Sequence, residues 1–361
     1  MASQLAAAIT AFAICVLTLP VIIKYSLKKN IGDEPGKRKV HKKVTPSMGG
    51  AAIFIGFLIS SLIWIDIELW KEVRIILIAL VMIFFIGVRD DLVPLRPITK
   101  ILGQIMAALI LILVYDLRLN SMYGLIGIYD IPLWLSYGIT VLTIVVITNS
   151  YNLIDGLDGL AGTIGSIVLL GFGVWFFLVG DSVFSVISFS MVGALIAFLV
   201  FNWEPSKVFM GDTGTMVTGM LLAIIVIHFI DSNHNLLSGN EYKFTGSVSA
   251  AVCFIMIPLA DTLRIFIVRM LKKQSPFKPD KNHLHHGIMR LGYSHSATTI
   301  ILGVTQLTFI GFAVLFRETP EKILLPGVIS LSIILSVILD RLLQAKISKQ
   351  SRSVTIEPDE G

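Results

Sequence analysis

Residues 160–200 read LAGTIGSIVLLGFGVWFFLVGDSVFSVISFSMVGALIAFLV and hold a single charged residue, Asp181. A bilayer core of about 30 Å takes roughly 20 apolar residues at 1.5 Å rise each. The stretch is therefore long enough for two crossings joined by a tight turn at Gly180-Asp181-Ser182. Similar runs recur outward in both directions. Breaking them at charges, Pro and Gly predicts about eleven spans: 4–24, 48–66, 73–89, 99–117, 132–150, 160–180, 183–201, 214–231, 246–270, 297–316 and 323–343. The chain reads as an all-α polytopic membrane protein, with a single transmembrane domain over residues 1–345 and a polar, loosely ordered tail over 346–361.

Composition supports this. Of 361 residues, 55% are hydrophobic and 15% charged, where a soluble domain carries about 25% charged residues. The net charge of +5 is no sign of nucleic acid, because Lys and Arg gather in a few loops between apolar runs. Cys15 and Cys253 each lie inside such a run and read as packing residues. The first run, Leu5 to Ile23, follows no positive charge and precedes Lys24, Lys28 and Lys29, which marks an anchor and not a cleaved signal peptide. With eleven spans, one set of connecting segments holds 23 of the 29 Lys and Arg residues. The positive-inside bias assigns that set to the cytoplasm, with the N-terminus outside and the C-terminus inside.

The same set of segments carries nearly all the unusual polar residues: Lys39-Val-His41, TPSMGG (45–50), Asp90-Asp91, NSYNLIDGLDG (149–159), the stretch from Asn202 to Gly214, and HLHH (283–286). Adjacent Asp90 and Asp91 can hold Mg²⁺ or divide into a base and an electrostatic partner, because like charges this close push one pKa up; the plain alternative is a solvated loop that caps the next helix. Asp155 and Asp158 are three apart and share a face of any helical turn, with Asn152 a neutral oxygen ligand nearby; the alternative is an Asp-Gly turn with Asp158 as an N-cap. Asp212, in FMGDTG (209–214), falls where a helix N-terminus offers amides to a pyrophosphate, or is itself an ordinary cap. Phe209 can stack on a flat base or simply pack.

His283, His285 and His286 share a loop with Lys278, Lys281 and Arg290. No cysteine is near and the H-E-x-x-H spacing is absent, so phosphate binding or proton transfer fits better than zinc; a surface cluster without a role is the alternative. Lys100 and Arg264 read equally as snorkelling interface residues or as a phosphate clamp. An ion-coupled transporter is the rival class, although such carriers keep ionisable groups near the bilayer midplane, often in repeats. This chain places them at span ends on one side, with no repeat.

In their combination and order, the PSMGG segment, the Asp pair, NLIDGLDGL, FMGDTG and HLHH resemble the polyprenyl-phosphate N-acetylhexosamine-1-phosphate transferase family, over about Lys37 to His295. The resemblance implies that the phosphate of undecaprenyl phosphate attacks the sugar-side phosphorus of a UDP-sugar, giving polyprenyl-pyrophosphoryl-sugar and UMP. It implies Mg²⁺, or Mn²⁺ in its place, held by Asp212 with Asn152 close by. By the same correspondence Asp90 and Asp91 are the essential acidic pair and Lys100 a phosphate-binding lysine. Phe209, Asp155 and Asn202 line the uridine pocket, and His283, His285, His286 and Arg264 lie near the pyrophosphate and sugar. The HLHH loop is similar to that of the WecA/TagO-like branch, which uses UDP-N-acetylglucosamine, and differs from the longer His run of the muramoyl-pentapeptide branch. The implied setting is the cytoplasmic face of a bacterial inner membrane, at the first membrane step of a cell-wall, teichoic-acid or O-antigen pathway. The lipid bilayer is a partner, nucleic acid is not, and a homodimer is left open.

Overall fold

A computed structural model describes residues 1–29, 45–271 and 283–354. Within these residues thirteen α-helices follow one another: α1 (Ala2–Lys28), α2 (Gly49–Trp64), α3 (Trp70–Leu92), α4 (Pro97–Tyr115), α5 (Leu133–Leu153), α6 (Leu160–Val179), α7 (Ser182–Asn202), α8 (Gly211–Asn235), α9 (Ser247–Phe254), α10 (Met256–Leu271), α11 (Leu284–Arg290), α12 (His295–Leu315) and α13 (Glu321–Val354). Among the described residues there is no β-strand. Among the described residues eight helices are long and apolar enough to cross a bilayer, or nine if α9 and α10 are counted as one bent span. The chain is an integral membrane protein. The stretch from Leu160 to Val200 resolves into α6 and α7 as its length predicts. Gly180 closes α6 in the left-handed region at φ 86°, and Asp181 caps α7 by accepting the Phe184 N–H at 3.0 Å.

Helices α7 and α8 form the centre, with 83% and 94% of their apolar windows buried. A helix apolar all round belongs in a core. Between helices in lipid the attraction comes from close packing, which small side chains permit. Gly50 of α2 shows this: a Cβ there would stand 2.0 Å from the Gly214 nitrogen of α8. That crossing presses the two segments ahead of these helices together. The Phe209 N–H donates to Pro46 O at 2.8 Å, and the Gly49 and Gly50 N–H groups donate to Phe209 O and Met210 O at 3.0 and 2.8 Å.

Two expectations need correction. The ninth predicted span, 246–270, is not one straight helix, because α9 and α10 meet at 85°. In lipid each unsatisfied backbone group costs several kcal/mol, and Gln306 of α12 meets that cost at the bend. Its Oε1 accepts the Ile257 N–H at 3.0 Å, and its Nε2 donates to Cys253 O and Phe254 O at 3.0 and 2.8 Å. At the other end of α9, buried Glu321 of α13 accepts the Val248 and Ser249 N–H groups at 2.6 and 3.0 Å. The polar tail is also helical as far as Val354, as a continuation of α13. Both cysteines are free and buried, as their setting predicted. Lys39, His41, Lys278 and Lys281 lie outside the described residues.

Candidate active site

The C-terminal ends of α3 and α5 and the N-terminal ends of α4 and α8 meet at one end of the bundle. Lys100, in the first turn of α4, lies with Nζ 2.5 Å from Asp90 Oδ2 and 2.9 Å from Asp212 Oδ1. It bridges two carboxylates from distant parts of the chain and is not simply snorkelling. Asn152, at the end of α5, donates its Nδ2 to Asp212 Oδ1 at 2.9 Å and to Thr215 Oγ1 at 2.7 Å. That leaves its Oδ1 for a ligand.

The adjacent aspartates divide their work. Asp90 is buried and its Oδ1 accepts the Leu95 N–H at 2.5 Å, ahead of α4. Asp91 turns to α8 instead: Oδ1 accepts the Asp212 N–H at 2.7 Å, while Oδ2 accepts the Thr213 N–H at 3.1 Å and its hydroxyl at 2.5 Å. A carboxylate at the N-terminus of a helix satisfies orphan amides and meets the positive end of its dipole. Asp91 therefore does the capping, and the carboxylate of Asp212 is left to Lys100 and Asn152. The approach requires Gly211, which has φ 72° and whose Cβ would lie 1.9 Å from Ser47 O.

Asp155 and Asp158, three residues apart between α5 and α6, differ in the same way. Asp155 is half-buried, and its carboxylate makes no hydrogen bond among the described residues. Burial, and then the carboxylates of Asp212, Asp91 and Asp158, raise its pKa well above the ordinary carboxylate range. Asp158 is buried and accepts from the Ser206 N–H at 3.3 Å and the Ser206 hydroxyl at 3.0 Å, with His295 Nδ1 at 3.6 Å. Burial alone would raise its pKa, but His295 and Ser206 outweigh it and hold the group below its usual value. Asp158 does not cap α6; it clasps the 203–206 loop and α12.

Three more of the predicted site residues have defined settings. Asn202 is a strut and not a free pocket residue: its Oδ1 accepts the Gly159 N–H at 2.9 Å and its Nδ2 donates to Val208 O at 2.8 Å, in a buried setting. Arg264 pairs with Asp340 of α13. His283 and His285 are buried against α10 and do not form a surface cluster, whereas His286 stays half-exposed. Burial pushes the His285 imidazole down to about 3, so it is neutral at neutral pH. Phe209 is half-buried.

Asp212, Asp90 and Asp155 with the Asn152 amide oxygen form a hard donor set suited to a cation such as Mg²⁺, and an ammonium already sits between two of the carboxylates. Among the described residues no three of these carboxylates lie within 4.8 Å of one another. A cation here would complete its shell with water and phosphate oxygens, as Mg²⁺ usually does.

The profile of glycosyl transferase family 4 matches residues 73–230. Over 316 residues the chain is 31% identical to the probable undecaprenyl-phosphate N-acetylglucosaminyl 1-phosphate transferase of Bacillus subtilis, covering 86% of this chain and 85% of that protein. The chain belongs to glycosyl transferase family 4. It is also 32% identical over 292 residues to the decaprenyl-phosphate N-acetylglucosaminephosphotransferase of Mycobacterium tuberculosis, covering 74% of this chain and 71% of that protein. With the undecaprenyl-phosphate alpha-N-acetylglucosaminyl 1-phosphate transferase of Salmonella typhimurium it shares 26% over 298 residues, covering 81% and 78%.

The stretch matched to family 4 holds the whole Lys100 cluster, whereas Arg264 and the histidine loop lie beyond it. Sequence reasoning missed Ser206 and His295, the partners of Asp158, and Asp261, which accepts from the His283 ring at 2.8 Å and from the Leu284 N–H at 2.7 Å. A lone Asp on the apolar face of α10 was the available signal for the last of these.

Proposed function

We propose that this family 4 transferase moves N-acetylglucosamine-1-phosphate from UDP-N-acetylglucosamine to undecaprenyl phosphate at the cytoplasmic face of a bacterial membrane. A lipid phosphate oxygen bonds to the sugar-side phosphorus, the bridging oxygen of the diphosphate leaves with UMP, and the lipid-pyrophosphoryl-sugar remains. The observation that carries this reading is the Asp90–Lys100–Asp212 bridge with Asp155 beside it, at one end of a bundle of lipid-spanning helices. Two phosphates repel, and phosphoryl transfer between them rests on positioning and charge neutralisation.

Asp212, with Asn152 Oδ1 and Asp155 within the same cluster, would hold Mg²⁺, which when bound neutralises the diphosphate. Lys100 offers its ammonium to phosphate oxygens. Asp91 acts as a positioning residue, since its oxygens hold the N-terminus of α8. Asp90 is then the group left to take a proton from the lipid phosphate as Lys100 turns to phosphate oxygens. The half-buried ring of Phe209 offers a stacking face to uracil. An apolar cavity of about 340 Å³ between α5, α8, the bent α9–α10 pair and the 119–125 segment, lined by Leu142, Val146, Val226 and Ile255 among others, reaches toward the opposite end of the bundle and suits the distal part of a prenyl chain. A transporter reading lacks such support, because these ionisable groups cluster at helix ends and not along a midplane path.

Purified protein in detergent, given Mg²⁺, undecaprenyl phosphate and a panel of radiolabelled UDP-sugars, is expected to form lipid-linked product and UMP from UDP-N-acetylglucosamine. A panel in which every UDP-sugar stays intact with Mg²⁺ or Mn²⁺ present would overturn the reading. Product from another UDP-N-acetylhexosamine alone would change the sugar and keep the reaction.

A further inference from the structure

His283 and His285 lie at the start of α11, and Asp261 sits on α10, 22 residues before His283. All three are buried, with 2%, 8% and 2% of Asp261, His283 and His285 exposed. His283 Nδ1 is 2.8 Å from Asp261 Oδ2. The His285 ring runs nearly parallel to that of His283, with centroids 5.3 Å apart and planes at 17°. Each side chain offers one ligand atom, and the three atoms lie within 4.8 Å of one another. Nε2 of His285 is buried without a hydrogen-bond partner among the described residues. It packs on Gly156, where a Cβ would stand 2.8 Å away. A buried ring nitrogen with no partner is uncommon, since nothing replaces the water it has lost.

We propose that Asp261, His283 and His285 form a second metal site, for a borderline divalent cation such as Zn²⁺, distinct from the hard-cation set around Asp212. Two imidazoles and a carboxylate with a position left open are a zinc-type donor set, whereas Mg²⁺ prefers oxygen throughout. The ion replaces the proton shared by Asp261 and His283, which passes to solvent, and takes its third ligand from His285. Ligand atoms around a tetrahedral Zn²⁺ stand roughly 3.3 Å apart, given bonds of about 2.0–2.2 Å, so small side-chain rotations close the site. The ion fastens α11 to α10 beside the Asp155-Gly156 turn. HLHH carries no zinc spacing in sequence because the third ligand comes from another helix.

Full-length protein without a polyhistidine tag, in detergent, is loaded with Co²⁺ or Zn²⁺ and desalted. One ion per chain is expected by mass spectrometry, with imidazole nitrogens in the X-ray absorption shell. His285→Gln and Asp261→Asn should each lower the retained ion at least tenfold, while Asp212→Asn retains it. No retained ion, an oxygen-only shell, or retention unchanged in both variants would overturn the assignment. The wild-type shell decides the matter even where a variant misfolds. Metal binding is read without turnover, so a negative result here leaves the transferase reading standing, and absent turnover leaves this one standing.

Discussion

The two ends of the bundle are both rich in polar residues, yet they use them differently. At the end opposite the Lys100 cluster, Asp181 caps α7 and bonds His228 at 2.7 Å. Asp231 accepts from Asn120, Tyr123 and Asn235, and Arg118 pairs with Asp116 two residues away. These partners are complete, and many are local. At the motif end, carboxylates from α3 and α8 converge on one lysine, and the nearby Asp155 carboxylate has no hydrogen bond among the described residues. Polar residues at a membrane surface are ordinary; like charges brought together from distant segments with donors missing need a ligand to explain them.

The contrast can be broken or sharpened by substitution. Lys100→Met should lower turnover by about 10³-fold, on the order of the loss of a preorganised charge at a phosphoryl-transfer site, read in single-turnover assays with saturating lipid. A value within tenfold of wild type would make Lys100 a structural tie. Asp155→Asn should lower turnover by about 10² and raise the melting temperature. The raised pKa of Asp155 means that its carboxylate destabilises the fold at pH above the unfolded value of about 3.9, and the amide removes that cost. A fall in melting temperature would contradict this.

Asp158→Asn should cost about 1–3 kcal/mol of stability through weakened charge-assisted hydrogen bonds. The lowered pKa fixes the sign. Its contribution is present above the unfolded carboxylate pKa and disappears as pH falls through the depressed folded value, so melting curves of wild type and variant should converge in acid. Curves that stay parallel down to acid pH would remove Asp158 from the clasp. The smallest effect belongs to the far end, where Asp181→Ala should cost about 1 kcal/mol as a lost cap and leave the Michaelis constant for UDP-N-acetylglucosamine unchanged. A large rise in that constant would mean the two ends are coupled.

Much of this was legible in sequence, because apolar length is a local signal and the helices follow the predicted runs closely. The bend between α9 and α10 was not, since the groups that make it tolerable, Gln306 and Glu321, lie some 50 to 70 residues further on. Site residues divided along the same line. Asp212, Asp90, Lys100 and Asn152 stand in conspicuous motifs and do meet. Asn202 looked alike in sequence but holds Gly159 and Val208. A motif shows which residues share a place, while the direction a side chain faces depends on packing that no local pattern encodes.

The central claim is that the converging, partly unsatisfied carboxylates mark the reacting end. UMP release from UDP-N-acetylglucosamine, with undecaprenyl phosphate and Mg²⁺ present, should be measured side by side for Asp212→Asn and Asp231→Asn, both confirmed as folded. The account predicts that Asp212→Asn releases no UMP above the blank while Asp231→Asn keeps wild-type turnover; equal turnover in the two variants, or loss in Asp231→Asn alone, would contradict it.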